Sequence, residues 1–403
     1  MIVPVILSRR IFSEILRVLQ NKSSGKRGKK VAHVLEEDTN FRSRARRKAD
    51  LSERNGRRFP LSDTELSTEF EIVRDSSRLD RLREARSKEI LFLPDHFIGT
   101  PPVSSRDFSY TVEREFVLEG KATFENRNSR VYVRPATDPE KSSFSWRESR
   151  FPLDASYCIK GNHNIQLGEV KIIEHPLAWM LAYGVYTDIE TSESSFPTFD
   201  TCDLPYSTGL KDNFRKLEKR KAISVSSPFA LEWEKGYCIL EPPANSKDAD
   251  ELVLDHQVSY PGTSVGNSRI RVTLRPDTFS YFCDARTTAF RTKPEAEKFH
   301  QIGLAGGLKD YPFTLENVLL LDEDRIYNSR EKFQDSKTGR NFEFLCHELI
   351  DICAWLRFVE EKYSGRFVGR MTTYLFDHHK QIDIAQFACD PERLAELDLQ
   401  IFG

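Results

Sequence analysis

Residues 344–356 read FLCHELIDICAWL, and this stretch decides how the last part of the chain folds. Apolar residues fill most of its positions, which predicts a helix buried around most of its circumference. His347 and Asp351 are four positions apart and therefore lie on the same face of that helix. Because a carboxylate removed from water is costly unless a charge compensates it, we expect either a metal ion or an arginine beside Asp351.

The composition of the chain limits its class. Its 403 residues are enough for two or three domains, and its mean hydropathy of −0.52 predicts that part of it does not fold. Seven cysteines without a CxxC pair indicate a reducing compartment and argue against a disulfide framework or a cysteine-built zinc site. Because no stretch approaches the roughly 20 apolar residues of a membrane helix, we expect a cytoplasmic protein without a transmembrane segment.

The first part of the chain is strongly basic. Residues 1–58 carry 16 Lys or Arg against 6 Asp or Glu, and few apolar residues recur there with a regular period, so we predict a basic, largely disordered extension over residues 1–105. Such an arm is typical of a solvated extension, which the composition favours, or of a segment that contacts anionic lipid or nucleic acid at the periphery of a membrane or a complex. It lacks the interleaved aromatic residues of sequence-specific nucleic-acid binding, so no nucleic-acid partner is predicted.

Two stretches with the same rhythm follow this extension. Each begins with short alternating segments typical of strands and continues into helical segments, and the charged segment 210–222 separates the two stretches. Strands followed by helices, twice, predict an α+β protein of two domains with similar architecture, over residues 106–217 and 218–403, each with helices packed on a small sheet. The helices are predicted at 176–185, 295–303, 343–360 and 378–389.

Two short motifs can supply metal ligands. An HxxxD pair on one helix face, here His347 and Asp351, places an imidazole nitrogen and a carboxylate oxygen where one ion can bind both, although a buried His and Asp can also simply hydrogen-bond to neighbours. Glu174 and His175 occupy the junction between a predicted strand and a predicted helix. Adjacent residues there face different sides, so one side chain can hold a metal ion while the other reaches a water bound to it.

A third histidine motif follows the last predicted strand. His378 and His379 begin the segment after MTTYLF, where a residue can project into a cleft; alternatively, they are a solvated pair at a helix start. The remaining histidines, His256 among them, have no partner at ligand spacing, and we predict no metal-binding role for them.

The order of these motifs resembles that of the zinc-dependent UDP-3-O-acyl-N-acetylglucosamine deacetylases of lipid A synthesis. The resemblance covers roughly residues 106–395 and consists of six segments in the family's order. These segments are VYVRPA (131–136), IIEHPLAWMLAYGVYTDIE (172–190), DARTTAF (284–290), GLAGG (303–307) with TLENVLLLDEDRIYN (314–328), NFEFLCHELIDICAWL (341–356) and GRMTTYLFDHH (369–379).

The resemblance implies a fold and a metal centre. The fold would be two α+β domains, each a helix layer on a small sheet, with the active site between them. Zinc would be held by His175, His347 and Asp351, with the fourth position left to water, as in catalytic rather than structural zinc sites. The ion would then be the charge that compensates the buried carboxylate of Asp351.

The resemblance also implies roles for three further residues. Glu174 would act as general base on the attacking water, the Thr287 hydroxyl would stabilise the oxyanion, and His378 would stabilise that charge or protonate the departing amine, with release of acetate. The substrate would be UDP-linked acylated N-acetylglucosamine, and its acyl chain would lie in a passage formed near residues 290–316. The family acts as a monomer, so we expect a monomer here.

The sequence departs from the family pattern at several positions around the predicted site. Glu348 stands where the family has Lys, Trp355 where it has the Asp that orients the catalytic His, and Thr288 where it has an aromatic residue. Asp377 replaces a Gly and is a candidate substitute for the missing orienting Asp, and residues 309–313 interrupt a glycine-rich segment. The residues assigned to chemistry are retained, whereas several that would position the substrate have changed.

Three functions therefore stay open at the level of sequence. The first is a divergent zinc-dependent deacetylase, and the second is a catalytically weak relative that keeps a ligand-binding or regulatory role. The third interprets HELID as a variant of the HExxH motif, with Glu348 as the base of a zinc peptidase. The third is disfavoured because Asp351 replaces the second histidine and because Glu174 and His175 would have no role.

Overall fold

The computed structural model of the chain describes nine stretches, namely residues 70–84, 89–93, 101–161, 163–199, 202–244, 251–290, 293–308, 311–335 and 338–402. The basic arm predicted over residues 1–58 lies outside the described residues. Within the described part, helices and strands alternate along the chain, so the predicted α+β class is confirmed.

The helices of the described residues are α1 (Ser76–Arg83), α2 (Glu174–Tyr183), α3 (Leu204–Leu210), α4 (Pro276–Phe282), α5 (Lys293–Leu304), α6 (Glu343–Tyr363) and α7 (His378–Cys389). All four predicted helices are present. The helix predicted from residue 176 begins two residues earlier, at Glu174, so Pro176 lies in its first turn, where its missing N–H costs no hydrogen bond. The helix ends at Gly184, whose φ of +67° is one that glycine adopts without strain.

The strands of the described residues are mostly short, as predicted. They are β1 (Glu71–Val73), β2 (Leu91–Phe92), β3 (Phe108–Val112), β4 (Phe116–Lys121), β5 (Asn128–Pro135), β6 (Ser143–Trp146), β7 (Ser149–Pro152), β8 (Cys158–Lys160), β9 (Ile165–Leu167), β10 (Val170–Lys171), β11 (Thr187–Thr191), β12 (Phe214–Lys219), β13 (Lys221–Val225), β14 (Phe229–Glu232), β15 (Tyr237–Glu241), β16 (Leu252–Tyr260), β17 (Gly266–Thr273), β18 (Thr288–Phe290), β19 (Leu319–Leu320), β20 (Gly365–Phe367), β21 (Gly369–Tyr374) and β22 (Leu399–Phe402).

Two large sheets organise these strands. The first has the order β4-β5-β11-β6-β7 and the second has the order β1-β14-β15-β21-β16-β17-β2. Smaller sheets comprise β10-β9-β8, β20-β13-β22, β12-β3 and β18-β19. Each half of the chain after residue 106 therefore contributes one large sheet and its own helices, while the domain boundaries given above remain predictions.

Both edges of the seven-stranded sheet come from the segment predicted as a disordered extension. Strand β1 pairs antiparallel with β14, with Glu71 opposite Glu232, and β2 pairs in parallel with β17, with Leu91 opposite Ile270. These residues form regular strands, which differs from the disorder predicted for residues 1–105. Strands of two and three residues contain too little alternation to be recognised in a basic sequence; they are stabilised by the sheet edges that they cover.

The longest helix, α6, lies at the centre of the molecule. It packs on α2 and on strands β16 and β17. Side chains from α2, α6 and both large sheets belong to one hydrophobic core; Trp179 on α2 and Trp355 on α6 are among its largest members. The predicted burial of α6 on most of its circumference is confirmed. No helix of the described residues is both long and apolar enough to cross a membrane.

Candidate active site

The three predicted metal ligands come together where α2 meets α6. His175 lies in the first turn of α2, and His347 and Asp351 lie on successive turns of α6. One ligand atom from each of the three residues lies within 4.8 Å of the other two. The centroids of the two imidazole rings, of His175 and His347, are 5.2 Å apart. Within the described residues this is the one group of three or more His, Cys, Asp or Glu side chains that is close enough to share an ion.

The two imidazoles are oriented through their Nδ1 atoms. His175 Nδ1 lies 3.1 Å from Asp203 Oδ1, and His347 Nδ1 lies 3.1 Å from the carbonyl oxygen of Ala285. A metal ion at Nε2 requires a proton at Nδ1 and an acceptor for that proton. Both rings have such an acceptor, so both can present Nε2 to one ion.

Asp351 supplies the third ligand group and lacks a permanent counter-charge. Its Oδ2 lies 3.3 Å from His347 Nε2 and 3.8 Å from His378 Nε2, and in the described part of the chain no arginine or lysine forms an ion pair with it. Its Oδ1 is buried without a hydrogen-bond partner among the described residues. A buried carboxylate oxygen without a partner fits a site that binds a cation. Two imidazole nitrogens and one carboxylate oxygen are a donor set that suits zinc, with a fourth position available.

Burial and the charges of the neighbouring ligand residues determine the protonation of the three metal-free ligands. Burial, helped by His347, lowers the pKa of His175 to about 4. Burial also disfavours the cationic form of His347, but the facing Asp351 carboxylate outweighs this effect and raises the pKa of His347 to about 9. Against the effect of burial, His347 and His378 hold the pKa of Asp351 well below its usual range. The metal-free site is therefore an ion pair of His347 and Asp351 beside a neutral His175.

Glu174, the predicted base, is fixed at the start of α2. Its side chain is only 4% exposed, and its Oε2 accepts a hydrogen bond of 3.0 Å from the backbone N–H of Ile165. Burial raises the pKa of this carboxyl group, and the nearby imidazoles of His378 and His175 limit the rise. A base with a raised pKa is better able to take a proton from water near neutral pH.

His378, the predicted acid, approaches the same place from the other side. It is the first residue of α7, and its Nε2 faces Asp351 while its Nδ1 is buried without a hydrogen-bond partner among the described residues. The carboxylates of Asp351 and Glu174 outweigh the effect of burial and raise the pKa of His378. A raised pKa favours the protonated imidazolium that an acid requires.

Thr287 belongs to a segment that reaches the site. It follows two residues after Ala285, whose carbonyl contacts His347, and its own carbonyl accepts a hydrogen bond from the N–H of Leu319 at 2.8 Å. This places the Thr287 backbone beside the ligand helix. The contact of its hydroxyl with an oxyanion stays a prediction.

Two residues near the ligands were not predicted from the sequence. Asp203, which holds His175, is fully buried just before α3, and 28 residues separate it from that histidine. His256 is fully buried on β16, with Nδ1 2.8 Å from Thr373 Oγ1 and Nε2 3.6 Å from Glu348 Oε2. Neither pairing has a local spacing that a sequence could display. An acidic residue directly before a Pro-containing helix is the nearest signal for Asp203.

Two of the residues that depart from the family pattern, Trp355 and Asp377, make contacts that stabilise the fold. Trp355 is buried and packs edge-to-face on Phe376, with 6.4 Å between centroids. Asp377 caps α7 by accepting a hydrogen bond of 3.0 Å from the N–H of Lys380, and it makes no hydrogen bond to His378 or His379. The hypothesis that Asp377 orients either histidine stays a prediction, and its Oδ1 is used to cap the helix.

Comparison with known proteins places the chain in context. The family described as UDP-3-O-acyl N-acetylglycosamine deacetylase matches residues 109–385, a range that includes every ligand and every predicted catalytic residue. A UDP-3-O-acyl-N-acetylglucosamine deacetylase of Nautilia profundicola is 22% identical over 237 residues, which are 57% of this chain and 73% of that protein.

Proposed function

Because the chain belongs to the UDP-3-O-acyl N-acetylglycosamine deacetylase family, we propose that it hydrolyses the N-acetyl group of UDP-3-O-acyl-N-acetylglucosamine or a close relative. The reaction releases acetate and a free amine, and it belongs to lipid A synthesis. The observation that carries this proposal is the meeting of His175, His347 and Asp351 in one place, with a buried glutamate and a histidine on either side of them.

We assign zinc to the three ligand residues. Nε2 of His175, Nε2 of His347 and a carboxylate oxygen of Asp351 would hold it, and the unpartnered Oδ1 of Asp351 supports a cation at this position. When bound, zinc supplies Lewis-acid polarisation of the amide carbonyl and lowers the pKa of a water molecule at the site. Asp203 and the carbonyl of Ala285 keep the two imidazoles in the orientation that binding requires.

Glu174 takes the proton from the attacking water. Its Oε2 is already committed to the N–H of Ile165, so we assign proton transfer to Oε1. Burial in the start of α2 holds the side chain in one orientation, which preserves the geometry required for the attack.

The two remaining groups handle the negative charge and the leaving amine. The hydroxyl of Thr287 donates a hydrogen bond to the oxyanion that forms when water adds to the carbonyl carbon. His378, protonated because Asp351 and Glu174 face it, then gives its proton to the departing nitrogen as the C–N bond breaks. The acyl chain of the substrate is assigned to the segment 290–316, which contains all of α5.

A second candidate is a catalytically weak relative that binds the same class of ligand. Two observations favour it: Trp355 stands where an orienting carboxylate is expected, and His378 Nδ1 has no hydrogen-bond partner among the described residues. An imidazole that is not oriented transfers protons less effectively. The peptidase alternative has less support, because Glu348 Oε2 lies 3.6 Å from Nε2 of His256, which is not one of the three ligand residues.

Amine formation from UDP-3-O-acyl-N-acetylglucosamine by the zinc-loaded chain tests the proposal. We expect turnover that falls by roughly 100-fold to 10,000-fold in Glu174→Gln, the loss typical of removing a general base. We expect the matched variant Glu348→Gln to keep both turnover and about one zinc per chain. Bound zinc without turnover in the native chain would establish the weak relative, and loss of turnover in Glu348→Gln alone would establish the peptidase-like base.

A further inference from the structure

The three-stranded sheet β10-β9-β8 and its β8–β9 turn contact the first turns of α2 and α7, which carry Glu174 and His378. Its strands span Cys158–Lys160, Ile165–Leu167 and Val170–Lys171, just before Glu174 in the chain. The turn between β8 and β9 begins at Gly161. The turn contacts α7 through one hydrogen bond, and Ile165, the first residue of β9, contacts α2 through another.

The contact with α2 fixes the base itself. The N–H of Ile165 donates to Glu174 Oε2 at 3.0 Å, and the carbonyl of the same residue accepts from the N–H groups of Ile172 and Ile173 at 3.1 and 3.2 Å. Ile165 is fully buried. The backbone N–H of Ile165 therefore holds the Glu174 carboxylate, and its backbone carbonyl holds the residues just before α2.

The contact with α7 comes from the histidine that the proposed mechanism does not use. His379 Nε2 donates to the carbonyl of Gly161 at 2.7 Å, and the N–H of Gly161 donates to the carbonyl of Asn164 at 3.2 Å, which closes the turn. Because a carbonyl oxygen only accepts, Nε2 of this ring carries a proton. His379 directly follows His378, so one helix start contributes one imidazole to the site and the next imidazole to the turn.

We propose that His379 is a positioning residue for the general base, because it holds the turn that leads into Ile165, the first residue of β9, whose N–H fixes Glu174. This inference rests on the proposed function. The acid on α7 and the base on α2 have no direct hydrogen bond among the contacts described, and the turn connects them through three hydrogen bonds. When the His379 bond is lost, the turn is released on one side, and Glu174 is held less firmly against the attacking water. Small losses of orientation at a reacting group lower the rate without weakening substrate binding.

Variants of His379 separate positioning from general stability. In His379→Leu we expect kcat to fall by about 3- to 10-fold with little change in KM, the range expected for one hydrogen bond. His379→Gln keeps an N–H donor and is expected to restore at least half of the native kcat. The matched control is Gln386→Leu, which removes hydrogen bonds of 3.2 Å from the same helix to the carbonyls of Ala155 and Cys158 and is expected to change kcat less than about twofold. Equal losses in His379→Leu and Gln386→Leu, or no rescue by His379→Gln, would overturn the proposal.

Amide hydrogen exchange at Ile165 tests the same contact without turnover. We expect its N–H to exchange faster in His379→Leu than in the native chain, and at the native rate in His379→Gln. Unchanged exchange in His379→Leu overturns the positioning role. If the native chain shows no deacetylation, the proposed function fails, and the exchange rates still decide whether His379 holds the turn.

Discussion

The buried acidic groups of α6 are compensated in two different ways. Near its end, Glu360 and Glu361 are almost fully buried and face guanidinium groups: Glu360 lies 2.8 Å from Arg106 and Glu361 lies 2.6 Å from Arg357. The arginines outweigh the effect of burial and lower the pKa of Glu360. Because arginine stays charged at any physiological pH, this end of the helix is neutralised permanently by the chain itself.

The cluster around Asp351 on the same helix has no such cation, although Glu343 in the first turn pairs with Arg286 at 2.6 Å. Asp351 meets only the imidazoles of His347 and His378, and its Oδ1 has no hydrogen-bond partner among the described residues. Unlike a guanidinium, an imidazole can give up its proton and bind a metal ion instead. The comparison indicates that one acidic cluster stabilises the fold and that the other is incomplete until a cation binds.

The largest effect that tests this difference is expected for Asp351→Asn. The amide keeps the shape of the side chain but removes its charge, so we expect zinc to fall from about one per chain to near none and turnover to fall by at least about 100-fold. Metal analysis and amine formation measure the two losses. The control Glu348→Gln changes another carboxylate of α6, three residues before Asp351, and this variant should keep its zinc. Retention of zinc by Asp351→Asn would contradict the assignment of the cation.

For Glu360→Gln, at the other end of the helix, we expect a loss of stability rather than a loss of zinc. This change leaves Arg106 and Arg220, which lie 2.8 and 2.5 Å from the carboxylate, without their buried counter-charge. We expect the free energy of unfolding of the metal-free chain to fall by about 3 to 5 kcal/mol. Urea unfolding of the chelated protein measures it, with Glu119→Gln in an exposed pair with Arg130 as the control. A loss no larger than that of the control would mean that the buried arginines do not depend on Glu360.

Local patterns explain what could be predicted from the sequence. The apolar run around FLCHELIDICAWL determined the burial of α6, and the spacing of His347 and Asp351 determined that they share a face. The family's order of motifs then linked Glu174 and His175 to that face, and the structure brings the predicted ligands together. These features depend on residues that are close in sequence or on a pattern that a family shares.

Contacts between distant segments could not be predicted. Asp203 and His175 are 28 residues apart, and the N–H of Ile165 that holds Glu174 belongs to a backbone that carries no side-chain signal. His256 meets Thr373 because β16 and β21 are neighbours in a sheet. Such pairs depend on strand order and helix packing, which residue types alone do not specify.

A smaller effect on the metal cluster is expected for Asp203→Asn. The Asp203 carboxylate orients His175 but is not itself a ligand. The amide of Asn can turn its N–H group instead of its oxygen toward Nδ1 of His175, so it holds the imidazole ring less firmly. We expect zinc affinity to fall by about 10- to 100-fold, as is usual when such a partner is removed, while the urea midpoint of the metal-free chain changes little. Competition with a zinc chelator of known affinity measures the change. An unchanged affinity would mean that His175 is oriented by packing alone.

A pH dependence distinguishes the two clusters, because only the metal cluster should show it. The pKa of His347 is raised from 6.5 to about 9 in the folded, metal-free chain, so its protonation stabilises that state fully below pH 6.5, and this stabilisation is lost as the pH rises through 9. Zinc needs the unprotonated ring, so its affinity should rise by up to about tenfold per pH unit over the same window. We therefore expect the gap in Tm between zinc-loaded and chelated protein to widen from pH 6.5 to pH 9. Glu360→Gln should keep this widening, since its cluster binds no metal, whereas Asp351→Asn should abolish it. A gap that stays constant with pH would show that His347 does not exchange a proton for the ion.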